Sequence, residues 1–179
     1  MRNVRSPTLA WIIAVVAALL LAMAAPNESS VMGRLPTLHV RQLDQQPLVL
    51  PEGLGADRTL ALISFHRDQR PAIESWIQGL QLGRDASVRW LRMVVLSDPG
   101  DTAGRSAIES RLRERYAQES AEVVPVFTDR AAFARSAGLS GVEQPHAVVL
   151  NRRGEVLARV EGPYNPDKAR TLRATLADQ

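Results

Sequence analysis

The chain of 179 residues contains no cysteine. That excludes a disulfide, a thiolate nucleophile and any cysteine-ligated metal site, though it does not by itself fix a compartment. Aromatic residues are also scarce, at 4%, so a core must be assembled mainly from Leu, Val, Ile and Ala. Lysine is nearly absent: Lys168 stands alone, and the remaining basic charge is arginine, which stays protonated at high pH and lifts the isoelectric point. The formal net charge is only +3. Arg2 and Arg5 precede the first apolar run, so the rest of the chain is almost neutral and lacks the basic excess of a nucleic-acid binder. There is no Gly-x-Ser-x-Gly elbow, no internal repeat and no low-complexity tract.

What is present begins with an unbroken apolar run, Leu9 to Ala25, "LAWIIAVVAALLLAMAA". A basic start followed by such a run reads as a signal peptide or a membrane anchor. Ala22-Met23-Ala24 resembles a cleavage site, whereas the length approaches the lower limit of a spanning helix, about 17 residues. In either case the basic end stays in the cytoplasm and the rest is exported, to lie in the periplasm or be held at the inner membrane facing it. The domain plan is residues 1–25 as signal or anchor, 26–34 as a polar linker, and 35–179 as one folded domain.

Within that domain, Leu38–Val40 and Leu48–Leu50 flank an Asp-Gln-Gln-Pro turn and read as two short strands. "TLALISF", Thr59 to Phe65, is a continuous apolar run of strand length and reads as a central buried strand. From Pro71 to Leu82 the residues Ile73, Trp76, Ile77 and Leu80 recur at helical spacing. Val88–Leu96 is a further strand, and "SDPGD" caps a helix over Thr102–Gln118. The arginines and glutamates of that helix read as a solvated face, with contact to anionic lipid as the alternative. Val123–Phe127 is a strand, Asp129 caps a helix closed by Gly138, and "HAVVL", "NRRG" and "EVLARVEG" form a hairpin. A last helix starts at Asn165 or Pro166. The order is β-β-β-α-β-α-β-α-β-β-α, a mixed α/β sheet with helices on both faces.

This order resembles the thioredoxin-like superfamily in its exported TlpA-like branch, over residues 35 to 177. The carrying phrases are "LPTLHVRQLDQQPLVLP", "TLALISF", "VVLSDP" and the run from Pro125 to Leu176. In that run Ala137-Gly138-Leu139, Pro145, Asn151-Arg152-Arg153-Gly154 and Gly162 stand where the family has a Tyr-Gly-Val run, a cis-proline, an Asp-x-x-Gly turn and a glycine after the last strand. The resemblance implies a thioredoxin-like mixed central sheet. It also places the family's Cys-x-x-Cys motif on "RPAI", with Arg70 and Ile73 at the cysteine positions. Thiol–disulfide exchange needs a thiolate, so the fold carries over and the oxidoreductase activity does not. The stretch "SFHRDQRPAIESW", Ser64 to Trp76, is in addition similar to thioredoxin-like ATP synthase assembly factors of the Atp-ten type, which act as assembly chaperones.

These residues give a set of expectations. Arg70 and Pro71, at a helix start, form an anion-attracting end, set against plain pairing of Arg70 with Asp68 or Glu74. The resemblance implies a cis bond at Pro145, with the Gln144 backbone adding a bound peptide as a strand. His66, Asp68 and His146 form the alternative, a metal site or acid–base centre, set against two ordinary loop histidines. Trp76 reads as core, and if exposed it would mark a docking surface. The function expected is non-catalytic: an exported or anchored protein, with no cofactor, that binds a protein or peptide partner in envelope or membrane-complex assembly.

Overall fold

The structure, a computed structural model, describes residues 32–84, 88–119 and 121–177. The apolar segment and most of the expected linker lie outside the described residues. Among the described residues no helix is long and apolar enough to cross a membrane.

The strands are β1 (Leu38–Arg41), β2 (Pro47–Leu50), β3 (Thr59–Ser64), β4 (Trp90–Leu96), β5 (Val123–Phe127), β6 (His146–Leu150) and β7 (Val156–Glu161). The helices are α1 (Arg70–Leu80), α2 (Thr102–Arg115), α3 (Arg130–Ser136) and α4 (Pro166–Ala177). Their order matches the sequence reading element for element, with ends shifted by a few residues. β4 begins at Trp90 rather than Val88, and α2 stops at Arg115, followed by a 3-10 turn over Ala117–Glu119.

β1 and β2 form an antiparallel pair. The other five strands form one mixed sheet in the order β5-β4-β3-β6-β7. β3 lies at its centre, parallel to β4 and antiparallel to β6. That position explains its unbroken apolar run, since both of its faces are covered. Ala61, Ile63 and Phe65 point to one face and pack with Met93, Val95, Val126 and Phe133. Leu60 and Leu62 point to the other, against Ile73 and Trp76 of α1 and Ala169 and Leu172 of α4. Further along the second face, Leu112 and Tyr116 of α2 pack on Val94, Leu96 and Val123.

The helix ends follow the expected caps. Asp101 accepts from the Gly104 N–H and Asp129 from the Ala132 N–H, each at 2.6 Å. Gly138 follows α3 with φ of +64°, and a Cβ there would lie 2.0 Å from the Met32 carbonyl oxygen, so this turn admits only glycine. That close approach belongs to a seam in which the Met32 N–H donates to Val156 O and the Arg34 N–H to Ser136 O. The last residues of the segment read as linker are thus hydrogen-bonded into the domain.

Candidate functional site

The site is the turn that leads from β3 into α1. Phe65 is buried, while His66, Arg67 and Asp68 are exposed. Gln69 is only 6% exposed and closes the turn. Its side-chain carbonyl accepts from the Phe65 N–H at 2.8 Å and the His66 N–H at 3.3 Å, and its amide donates to Val142 O at 2.8 Å. One side chain therefore satisfies the buried backbone of the turn and ties it to the loop before β6.

α1 starts at Arg70, with Pro71 in its first turn, where the missing N–H costs no intrahelical bond. Arg70 is half exposed and reaches Glu74 Oε1 at a long 3.4 Å, and its guanidinium carbon lies 5.6 Å from the Tyr116 ring centroid. The expected surface pairing with Glu74 is present, but weak in geometry. Ile73 is a core residue, 2% exposed, on Trp76 and Leu60. Trp76 is fully buried, donates its indole N–H to Gly162 O at 2.9 Å, and is no docking surface.

Beneath Arg70 lies a residue that the sequence reading passed over. Arg92 sits in β4 on the face toward α1 and α2 and is 1% exposed. It donates to Glu74 Oε1 at 2.8 Å and lies 2.9 Å from Glu119 Oε2. The second contact is close but not aligned as a hydrogen bond, and Arg92 Nε has no partner among the described residues. The Arg92 guanidinium also stacks on Tyr116, 4.6 Å from the ring centroid. Burial pushes the Glu119 carboxyl up, and the nearby Arg92 charge opposes that shift. The available signal was an arginine in the middle of an apolar strand.

A cavity of about 310 Å³ opens beside this turn, at the C-terminal ends of β3 and β4. Its floor is apolar, with Val94, Leu96, Ile108, Leu112 and Tyr116. Five arginines line it: Arg67 and Arg70 from the turn and α1, Arg111 and Arg115 from α2, and Arg130 from α3. No Asp or Glu lines it. Arg130 Nη1 is 3.5 Å from His66 Nδ1, and its Nε is buried with no partner among the described residues.

One alternative and one expectation are corrected here. The first concerns the set His66, Asp68 and His146, which is not assembled. His146 faces inward at 2% exposure, packs edge-on against Phe65, and bonds through Nε2 to Gly141 O at 3.0 Å. Burial pushes its pKa down, with the Gly141 hydrogen bond opposing. His66 stays at the surface beside Arg130. Among the described residues no group of three His, Asp or Glu side chains is placed to hold a metal ion.

The second correction is at Pro145. The cis bond of the described chain is Leu50–Pro51, and Gln144–Pro145 is trans. Pro145 leads straight into β6, and its carbonyl accepts from the Gly162 N–H at 2.8 Å. Residues 142–144 form a bend that carries the chain into β6 with the Gln144–Pro145 bond trans.

No protein-family model and no curated protein matches the sequence. Solved structures do match. A candidate electron transport protein from Aquifex aeolicus superposes with TM-score 0.57 at 15% identity, covering 83% of this chain and 99% of that one. BsSco, a member of the Sco family of cytochrome c oxidase assembly proteins, gives 0.55 at 14% identity over 82% and 95%. The exposed lipoprotein thioredoxin of Streptococcus pneumoniae gives 0.50 at 13% over 80% and 100%. The fold is thioredoxin-like. In this thioredoxin-like domain the β3–α1 junction that the sequence resemblance assigns to the Cys-x-x-Cys motif carries Arg70 and Ile73, one exposed and one in the core. The likeness to ATP synthase assembly factors rests on Ser64 to Trp76 alone.

Proposed function

We propose that this chain is a non-catalytic, exported thioredoxin-like protein that holds a protein or peptide partner at the β3–α1 junction. The observation that carries the proposal is the state of that junction. The turn is well bonded through Gln69 and a cavity opens beside the helix start, while the position that the resemblance gives to the nucleophile is an arginine among arginines. A thiol reaction has no atom to start from. A site that has lost its reaction but keeps an open, charged cavity beside a rigid turn is suited to recognition.

Export and a role in membrane-complex assembly belong to the same proposal. They are supported by the basic, apolar amino terminus and by the fold shared with an exposed lipoprotein and with a cytochrome c oxidase assembly protein. Gln144 is exposed, two residues beyond the Val142 carbonyl that the turn grips, and belongs to the proposed contact surface, whereas the Pro145 side chain is buried. The test is affinity capture from detergent-solubilised native membranes with the full chain and with Arg70→Ala. A discrete partner, retained by the full chain and reduced in the variant, is expected. Capture of the same proteins in equal amount by both would remove the junction from the proposal.

A further inference from the structure

We infer that the arginine-lined cavity takes an acidic–apolar segment of a protein partner, with one apolar side chain on its floor and the flanking carboxylates on its rim. This inference rests on the partner-binding proposal and names the chemistry of the partner. Its first support is charge. The sequence is nearly balanced, with 22 basic and 19 acidic residues, yet five arginines and no acid line this one cavity. They converge from separate elements, the turn with α1, α2 and α3, so the clustering is not a property of one helix.

The second support is cost. Arg111 and Arg115 are four residues apart on α2 and face the same cavity, a like-charge spacing that destabilises a helix. Neither makes a salt bridge among the described residues, and Arg67 makes none either. Arg130 Nε is buried and unpartnered, a donor left unmade at a cost. Arg70 has a long contact to Glu74, but among the described residues no carboxylate offsets Arg67, Arg111, Arg115 or Arg130, whereas an incoming anion would.

The third support is shape. A cavity of about 310 Å³ lies at the small end of ligand pockets and suits one bulky apolar side chain. Guanidiniums on three sides suit several carboxylates rather than one, and arginine forks carboxylates with two parallel bonds. Tyr116, already stacked under Arg70 and Arg92, gives the floor a rigid aromatic wall.

The experiment uses the full chain in a mild nonionic detergent and a labelled, end-blocked hexapeptide, Glu-Glu-Leu-Phe-Glu-Glu, followed by fluorescence anisotropy. Two controls are Gln-Gln-Leu-Phe-Gln-Gln and Glu-Glu-Ser-Ser-Glu-Glu. The acidic–apolar peptide is expected to bind about tenfold or more tightly than either control. Arg111→Glu with Arg115→Glu should weaken it by at least about tenfold. Arg113→Glu, on the same helix but outside the cavity lining, should change it by less than about twofold. Circular dichroism melts confirm that each variant is folded. Equal binding of the glutamine peptide, or no loss in the folded double variant, overturns the inference. Vesicles containing anionic phosphatidylglycerol that bind the chain and are released by the double variant, with no peptide binding, overturn it in favour of lipid. Partner capture that persists in the double variant also overturns it while leaving the partner-binding proposal standing; loss of capture by the wild-type chain would remove both.

Discussion

The Gln69 side-chain amide donates to the carbonyl of Val142 at 2.8 Å while its own carbonyl accepts from the Phe65 N–H at the same distance. A single buried side chain thereby joins the end of β3, the start of α1 and the loop before β6. Replacing it with an isosteric apolar residue leaves a buried donor and a buried acceptor unpaired. Gln69→Leu is therefore expected to destabilise the domain by about 1–3 kcal/mol, measured by urea unfolding of the full chain in detergent. A change below a few tenths would show that the turn holds itself without the glutamine.

The Arg92 cluster predicts an asymmetry. Arg92 is 1% exposed, whereas the Glu74 and Glu119 side chains are about a third exposed. Without Arg92 the two glutamates can turn toward water. Without the glutamates, Arg92 remains a buried cation with no opposing charge beside it. Glu74→Gln with Glu119→Gln should thus cost about 3–5 kcal/mol, and Arg92→Met distinctly less. Denaturant midpoints of the two variants decide the order, and the reverse order would refute the burial argument.

His146 predicts a loss of stability in mild acid. Its folded pKa is depressed, first by burial, so the folded state binds its proton less readily than the unfolded chain. The contribution is present above the unfolded value, about 6.5, and is lost as pH falls through the depressed folded value. Thermal melts should show a decline in Tm beginning below about pH 6.5. His146→Phe, which keeps the edge-on packing against Phe65, should flatten that limb. An unchanged limb would assign it to another group.

Glu155 predicts a second, more acidic limb. Asn151, Arg34 and Arg153 all hydrogen-bond its carboxylate and hold its pKa down at about 2. With the folded value depressed, its stabilisation is complete above the unfolded value near 4.3 and disappears as pH falls toward about 2. Glu155→Gln should make the acid limb shallower across that interval, as followed by circular dichroism. Persistence of the full acid limb in the variant would contradict the assignment.

The electropositive junction predicts its own chemistry when a thiol is returned to it. Arg70→Cys places a sulfur at the first residue of α1, beside Arg67, Arg111, Arg115 and Arg130. A helix start and nearby guanidiniums stabilise a thiolate, so its pKa should fall clearly below the free value of about 8.5. The pH dependence of iodoacetamide labelling reads this directly. A value at or above that of free cysteine would deny the junction its positive field.

The elements that were legible in the sequence are those fixed by local chemistry. The apolar run of β3, the spacing of Ile73 and Trp76, the caps Asp101 and Asp129, and Gly138 with its positive φ all depend on near neighbours. The missed features depend on distant ones. Arg67, Arg111 and Arg130 meet only because the start of α1, the end of α2 and the start of α3 come together at the C-terminal ends of β3 and β4, and along the chain they look like ordinary surface charge. Arg92 reads as a strand residue, and its burial follows from Glu74 and Glu119 arriving from either side. His66 and His146 flank one junction, but the strand pleat and the Gly141 carbonyl turn His146 inward. Pro145 keeps its place before β6 without the expected isomer.

The central claim is that the β3–α1 junction binds a partner instead of catalysing a reaction. Site-specific photocrosslinking in intact native cells tests it most directly, with benzoylphenylalanine introduced in place of Arg67 at the cavity or of Arg170 on α4, whose side chain is 79% exposed. A discrete protein adduct from position 67 and none from position 170 is the predicted result. Adducts from position 170 with none from position 67 would contradict the claim.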